Sequence, residues 1–438
     1  MGIEHREVVD ASTDTVWQWM ARSGAFHRLV PPWQPMTLVQ ETSSLRDGTA
    51  KLKIGGLPWT AQHQPDGYVE GEQFVDQLTS FPLRLVSPWK HTHRFEAVGA
   101  GCAVLDHVQT PAPEAFLRSN FRYRGAQLRG DLAAHARWSQ KALTVAVTGS
   151  SGLIGTQLCA LLSTGGHRVI KLVRGEPSGD GERRWNPDAP AVDLLAGVDA
   201  VVHLAGASIA GRFTDAHKKA VLDSRVGPTK KLAERAAQQG VSAFVSSSAI
   251  GYYGADRGDE VLSESSAPGD DFLAEVVTQW EQEAEAAGTE CTRVVQVRTG
   301  IVVTPDGGFL KQLRPLFALG VGGRLGSGEQ WLSWIGIDDM LDIYLRAIVD
   351  DAVEGPVNAV APNPVRNSEF TKVLGSVMHR PTLVPTPAFG PRLLLGEEGS
   401  KALAEASQRV DAGRLTELAH PFRHTELDAT LRHVLGKG

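Results

Sequence analysis

Residues Thr148 to Gly155 read Thr-Gly-Ser-Ser-Gly-Leu-Ile-Gly, directly after the apolar run Leu143 to Val147. Glycines at 149, 152 and 155 in such a setting suit a pyrophosphate. One makes a tight turn, one lets the backbone approach the phosphates, and one lets a helix pack close to a strand. A helix beginning at Leu153 adds unpaired N–H groups and a partial positive charge. Thr148, Gly149, Ser150, Ser151, Gly152, Leu153, Ile154 and Gly155 are therefore candidate cofactor-binding residues. Arg174 follows Val173 where an NAD site would carry an acidic residue for the ribose 2′-hydroxyl. An arginine there pairs with a 2′-phosphate and can stack on adenine, so NADP (NADPH) is favoured over NAD; a solvated surface arginine is the alternative. Leu204-Ala205-Gly206 closes another apolar run with small residues, over which the adenosine half of a cofactor can lie. Ser246 to Gly254 (Ser-Ser-Ser-Ala-Ile-Gly-Tyr-Tyr-Gly) brings hydroxyl groups toward a nicotinamide ring or a substrate carbonyl. Ser248, Tyr252 and Tyr253 are the candidate catalytic residues, although paired tyrosines after a strand also serve as packing.

The elements that must position these groups alternate strand and helix from residue 143 onward, which implies βαβ units and a parallel sheet. Strands are predicted at Leu143–Val147, Arg168–Val173, Ala200–Leu204, Ala243–Ser247 and Thr292–Arg298. Helices are predicted at Leu153–Leu162, Asp215–Gln239 and Asp271–Ala287. Beyond 305 the pattern loosens into glycine-rich loops, Gly320 to Gly328, as for a small substrate lobe on a dinucleotide-binding core. Residues 1–142 read as α+β. A strand at Ile3–Asp10 leads to a helix capped near Ser12 or Thr13, then to strands at Thr37–Glu41, Thr49–Ile54, Gln73–Leu78, His91–Ala97 and Cys102–Thr110, and a long helix over Phe121–Lys141. Three segments follow: 1–142, 143–385, and a helix-rich 386–438.

Composition excludes several classes. The 438 residues are 42% hydrophobic and 21% charged, as in ordinary soluble globular proteins, with a net charge of −6 and a pI near 6.2. No basic footprint argues for nucleic acid or an anionic membrane, and no apolar stretch reaches the ~18 residues of a membrane span. Three scattered cysteines form neither a disulfide framework nor a metal pair. With an N-terminus that turns into a strand rather than an apolar leader, a cytoplasmic protein is expected. The oligomeric state is not legible.

Two resemblances follow. Val16-Trp-Gln-Trp19, Arg22 to Trp33, Trp89-Lys-His-Thr-His93 and Asp131-Leu-Ala-Ala-His135, in the order helix, curled antiparallel sheet, long helix, resemble the small-ligand-binding members of the START-like (SRPBCC, polyketide cyclase-like) superfamily. That resemblance implies a helix-grip fold and an apolar ligand over 1–142, whose aromatics otherwise read as core. The glycine turn, the serine run and Arg298-Thr299-Gly300 resemble the extended short-chain dehydrogenase/reductase superfamily, with a Rossmann-type doubly wound parallel sheet. Ser224-Arg225, Gly251 to Gly254, Trp280-Glu281, Leu319 to Arg324, Trp334 to Asp339 and Pro364 to Asn367 are similar to its atypical epimerase-family proteins. Leu394 to Glu397, Ser407 to Val410 and Pro421 to His424 are similar to their characteristic C-terminal segment.

The resemblance implies an NADP-dependent oxidoreductase or nucleotide-sugar epimerase-like enzyme. It adds Arg225, Arg298, Thr299 and Gly300 to the cofactor set; Arg212, Arg324 and Trp331 are candidates to clamp a phosphate-bearing small-molecule substrate, with solvated surface arginines as the commoner alternative. One departure bears on the chemistry. The superfamily's Tyr-x-x-x-Lys pair is expected at Phe272 to Val276, and neither phenylalanine nor valine can move a proton. The usual asparagine four residues before Thr229 is Arg225. Three readings stay open: Tyr252 or Tyr253 substitutes as acid/base, with Arg225 as a candidate to tune it; the chain binds NADP and a ligand without turnover, as a sensor or scaffold; or an unassigned acid acts. Trp280-Glu281 reads as helix packing and capping. His91, His93 and Asp106 invite a metal reading, since alternate strand residues share a face. No third ligand follows at a convincing spacing, so no metal is expected.

Overall fold

The computed structural model describes residues 2–385 and 389–438. The predicted start of the C-terminal segment at 386 lies outside the described residues. The chain forms two compact units: residues 1–142 with 159–168 and 433–438, and residues 143–158 with 169–432.

The first unit runs β1 (Gly2–Val9), α1 (Thr13–Ala21), α2 (Ala25–Leu29), β2 (Met36–Gln40), β3 (Thr49–Ile54), β4 (Leu57–His63), β5 (Gln73–Leu78), α3 (Leu83–Val86), β6 (Lys90–Val98), β7 (Gly101–Gln109) and α4 (Glu114–Trp138). Its seven strands pair in the order β1-β7-β6-β5-β4-β3-β2, antiparallel throughout. Ser12 caps α1 by accepting from the Thr15 N–H, and α1 presses Val16, Trp17, Trp19 and Met20 into a core shared with Phe74, Phe95, Leu128 and Leu132. A buried, two-pronged ion pair joins α2 to α4: Arg28 Nε and Nη2 each donate to Asp131 at 2.8 Å. Strand β4 is missing from the sequence reading because Pro58 and the exposed Leu57 disguise it. Pro58 lies ahead of Ala61, where pairing with β5 begins, so its missing N–H costs no bond on that side. Gly55 and Gly56, at φ of 56° and 86°, close the two-residue β3–β4 turn. Helix α4 starts seven residues before the predicted Phe121, since its first turn exposes Phe116 and hides the apolar period.

From residue 143 the chain continues β8 (Thr144–Thr148), α5 (Leu153–Thr164), β9 (Arg168–Val173), β10 (Glu182–Arg184), β11 (Ala200–His203), α6 (Asp215–Asp223), α7 (Val226–Gln239), β12 (Ala243–Ala249), β13 (Asp256–Leu262), α8 (Phe272–Ala284), β14 (Arg293–Thr299), β15 (Ile301–Val303), α9 (Gly308–Ala318), β16 (Trp331–Leu332), β17 (Trp334–Gly336), α10 (Ile337–Val349) and β18 (Gly355–Ala359), mostly in the second unit. Its main sheet has the order β10-β9-β8-β11-β12-β14-β18, and the strand registers are parallel. Val145, Ala146, Val147, Ala200, Val201 and Val202 are fully buried, which is why these strands read as continuous apolar runs. This is a doubly wound Rossmann-like sheet, and strand order reverses between β8 and β11. Such a reversal leaves a crevice at the carboxyl ends of the two strands.

The single helix predicted over Asp215–Gln239 is two. Ser224 Oγ accepts from the Ala207 N–H and donates to the Val221 carbonyl, turning the chain between α6 and α7. Pro228 in the first turn of α7 then lacks the N–H that would continue α6. Past 389 the chain supplies a strand, Ser407–Val410, that pairs in parallel with β13. Arg423 grips α10 there: its guanidinium bonds both Asp342 oxygens at 2.6 and 2.7 Å. No helix among the described residues is long and apolar enough to cross a membrane.

Candidate functional site

The glycine turn sits at the β8–α5 junction, beside the crevice. Gly149 has φ of 64°, and a Cβ there would lie 2.8 Å from the Leu204 carbonyl carbon of the neighbouring β11 end. A Cβ at Gly155 would stand 2.1 Å from the Gly149 carbonyl oxygen. These two glycines are demanded by the fold of the turn itself. Gly152 is different: it is exposed, and its Cβ would meet only the Gly149 oxygen at 3.2 Å. Ser151 is also exposed and Ser150 half-buried, so the outward edge of the turn is open backbone. Leu153 anchors it from below, within 2.8 Å of where a Gly307 Cβ would stand.

Thr148 and His203 join the two strand ends. Thr148 Oγ1 accepts from the Leu204 and Ala205 N–H groups at 3.0 and 3.2 Å, which uses both lone pairs. Its hydroxyl proton must therefore go to His203 Nδ1, 2.8 Å away. His203 Nε2–H is then left to donate to Thr229 Oγ1 at 3.0 Å. The neutral ring this requires agrees with burial, which with the Arg225 charge pulls the His203 pKa down to about 4. Leu204 and Ala205 thus owe their position to Thr148, and Gly206 packs 3.0 Å, measured from a Cβ, from the Arg225 guanidinium. Arg225 itself donates to the Ala207 and Val221 carbonyls at 3.0 and 3.1 Å and stacks 5.1 Å over Trp280. Burial lowers its pKa to about 10. Arg174 lies exposed just past the end of β9.

The hydroxyl cluster after β12 is organised by a residue that sequence reasoning assigned to packing. Glu281 on α8 accepts from Ser248 Oγ at 2.5 Å and from Arg298 Nε and Nη2 at 2.9 and 2.8 Å. Arg298 is 3% exposed; its Nη1 reaches the Tyr253 hydroxyl at 3.0 Å and the Glu264 carbonyl at 3.1 Å. Tyr253 donates in turn to Asn358 Oδ1 at 2.6 Å. Tyr253 is wholly buried, and desolvation, outweighing Arg298, pushes its pKa up to about 12. These placements correct three expectations. Tyr253 is a core residue with both phenolic partners satisfied. The arginine beside the tyrosines is Arg298, not Arg225, and it stacks 3.5 Å over Tyr252. Arg298 spends its guanidinium inside the protein rather than on the crevice. Gly300 has a packing reason to be glycine, since its Cβ would fall 2.6 Å from the Ser333 carbonyl oxygen. Thr299 donates to the Val297 carbonyl at 3.2 Å.

At the positions of the expected proton-relay pair, Phe272 opens α8 against Phe213, with Lys218 Nζ 5.2 Å over its ring. Val276 is 2% exposed and faces the core. Later in the chain, the guanidinium groups of Arg366 and Arg409 stand over the Trp331 ring at 4.1 and 4.7 Å, and Trp331 donates from Nε1 to Asp259 at 2.7 Å. Arg366 also bonds Asp259. An open pocket of about 360 Å³ runs along this group, lined by Asp256, Asp259, Gln330 and Arg366 among others. Arg324 turns back to the Ser327 carbonyl, and Arg212 is exposed ahead of α6. Among the described contacts neither joins Trp331; Arg366, Arg409 and Asp259, far apart in sequence, do.

Residues 145–359 match the model of the NAD dependent epimerase/dehydratase family, and residues 386–434 match a domain of unknown function, DUF1731. An epimerase family protein of Mycobacterium bovis is 40% identical over 293 residues, 66% of this chain and 97% of the relative. The crystal structure of a nucleoside-diphosphate sugar epimerase from Corynebacterium glutamicum superposes with a TM-score of 0.87 at 42% identity, covering 99% of this chain and 90% of that one. A human epimerase family protein, solved with NADPH, is 32% identical with a TM-score of 0.61, covering 67% of this chain and 99% of its own.

Proposed function

This chain belongs to the NAD dependent epimerase/dehydratase family, as one of its epimerase family proteins, and we propose that its second unit is an NADP-dependent oxidoreductase or nucleotide-sugar epimerase-like enzyme. The observation that carries the reading is the glycine turn at the point of strand reversal. Gly149 and Gly155 are fixed by backbone clashes, whereas Gly152 and Ser151 leave open the cradle that a side chain would fill. That edge fits a pyrophosphate at the start of α5. Leu204, Ala205 and Gly206 offer the flat floor for the adenosine half, and Arg174 the cation for a 2′-phosphate. The NADPH of the human relative favours the same cofactor. When bound, the dinucleotide supplies or accepts a hydride. The chain's own residues bind, orient and exclude water. Tyr252, half-buried against Arg298, and Ser248 are the hydroxyls beside that space. The arginine and tryptophan group around Trp331 and Arg366 suits a phosphate-bearing substrate.

A second reading, a non-catalytic NADP-binding sensor or scaffold, is favoured by one observation. The Ser248 hydroxyl is committed to Glu281, whose charge is already matched by Arg298, so no strong base stands next to it. The first unit, with a helix pair, a curled antiparallel sheet and one long helix in that order, supports a START-like helix-grip module. Its aromatic interior is filled by Trp17, Phe74 and Phe95 packed on one another, and the same sheet buries His and Asp side chains, so a ligand there would meet polar groups as well as apolar ones.

The two readings separate by hydride exchange. Protein mixed with C4-deuterated NADPH and a panel of carbonyl compounds, including keto nucleotide sugars, or with NADP⁺ and nucleotide sugars deuterated at the ring carbinol carbons, is expected to move deuterium between the cofactor and at least one of them. Tight NADPH binding with no transfer to any would overturn the enzyme reading and leave the sensor.

A further inference from the structure

We propose that Asp76, His91 and His93, in the first unit, form a binding site for one divalent first-row transition-metal ion, with Asp106 as the residue that orients His91. The site is made by strand register. His91 and His93 alternate on β6 and so project from one face; their ring centroids are 3.7 Å apart. Asp76 on β5 is the cross-strand partner of His91, and Asp106 on β7 is the partner of His93. The third ligand that sequence spacing does not offer is therefore delivered by the neighbouring strand, fifteen positions before His91.

The donor atoms already stand at metal-site spacings. His93 Nε2 donates to Asp76 Oδ2 at 3.3 Å, a proton that an ion would replace; His91 Nδ1 lies 3.7 Å from the same oxygen, and one donor atom from each residue falls within 4.8 Å of the others. Ligands about 2.0–2.1 Å from a tetrahedral ion lie roughly 3.3–3.4 Å from one another. Opposite Asp76, the Asp106 carboxylate accepts from His91 Nε2–H at 2.8 Å. That bond fixes the His91 tautomer and leaves the Nδ1 lone pair facing Asp76, too far to be a hydrogen bond. A carboxylate behind a histidine that presents its other nitrogen to a shared point is the usual outer support of a metal-bound imidazole. His93 Nδ1 lies 3.0 Å from the same Asp106 oxygen but out of line, so it counts as a buried nitrogen without a hydrogen-bond partner.

The surroundings hold these rings still. Phe74 stacks on His93 at 4.1 Å, and Phe121 of α4 meets His91 edge-on at 5.4 Å. His91 and His93 are each 5% exposed, whereas the Asp76 side chain keeps 15%, which gives an ion a way in from its side. Two histidines and one carboxylate leave coordination positions for water or a small ligand, the donor set of open zinc and non-haem iron sites. A hydrogen-bonded ionic cluster without metal affinity is the competing account.

The test uses the full chain, stripped with chelator and titrated with Co²⁺ and then Zn²⁺. The expected result is visible Co²⁺ d–d absorption that saturates at about one ion per chain and is displaced by Zn²⁺. In Asp76→Asn, a change at the more exposed edge of the site, the band should be lost while the circular dichroism stays that of the parent. Asp106→Asn should weaken Zn²⁺ binding roughly 10- to 100-fold. Absence of the d–d band in the parent chain, or an unchanged band in folded Asp76→Asn, would overturn the proposal.

Discussion

Glu281→Ala is expected to destabilise the second unit by about 3–5 kcal/mol, the cost of leaving a buried charge without its partner. Arg298 keeps only the Tyr253 hydroxyl and the Glu264 carbonyl once the two carboxylate bonds are gone. Both are neutral acceptors, and the guanidinium is too enclosed for water to replace the anion. Three elements loosen together, because Glu281 sits on α8, Arg298 on β14 and Ser248 on β12. Glu281→Gln retains a hydrogen-bonding group of the same shape and should lose less. Native-state hydrogen exchange of the β12 and β14 amides in urea reads the effect within the second unit. A loss under about 1 kcal/mol would mean that the pair behaves as an exposed one, and the hub assigned to Glu281 would be wrong.

Gly155→Ala should lower dinucleotide affinity by roughly ten- to a hundredfold, and stability with it, because a methyl group 2.1 Å from the Gly149 oxygen must be relieved by about 1–3 kcal/mol of backbone rearrangement. Gly152→Ala tests the same turn differently. Its methyl group meets little protein, so stability should hold while affinity falls, since the added carbon stands on the open edge. Thermal unfolding and NADPH fluorescence titration of the two variants give four numbers. Equal affinity in Gly152→Ala and the parent would place the cofactor away from the turn.

What the sequence disclosed and what it hid divide along physical lines. The β8–turn–α5 unit was legible because its signal is local: an apolar strand, glycines and a helical period adjoin in one continuous stretch, Thr144 to Thr164. The sheet that carries it was legible for the same reason, through buried strands that alternate with helices. Strand β4 was not, because Pro58 argues against a strand unless the register shows it unpaired on that side. The break at Ser224–Arg225 was hidden because the side-chain bonds that make it run to Ala207 and Val221, outside any helical period. Glu281 read as helix packing because its partners, Ser248 and Arg298, are separated from it by 33 and 17 positions. Asp76, which strand pairing sets beside His91 and His93, was missed for the same reason, since a residue brought in by the neighbouring strand carries no motif. Trp331 was found, but Arg366, Arg409 and Asp259 were not, although two guanidinium groups over one indole ring are what give that group its chemistry. Spacing reveals groups that share an element; groups that meet across elements need the fold.

We propose that the crevice beside the glycine turn takes NADP rather than NAD, through Arg174. Equilibrium titration of the parent chain and of Arg174→Ala with NADPH and NADH tests it most directly. The parent should bind NADPH tighter than NADH, and the substitution should remove about 1.5–3 kcal/mol from NADPH binding, the worth of a charged hydrogen bond, while NADH changes little. Equal losses for the two cofactors, or a parent chain that binds neither, would contradict it.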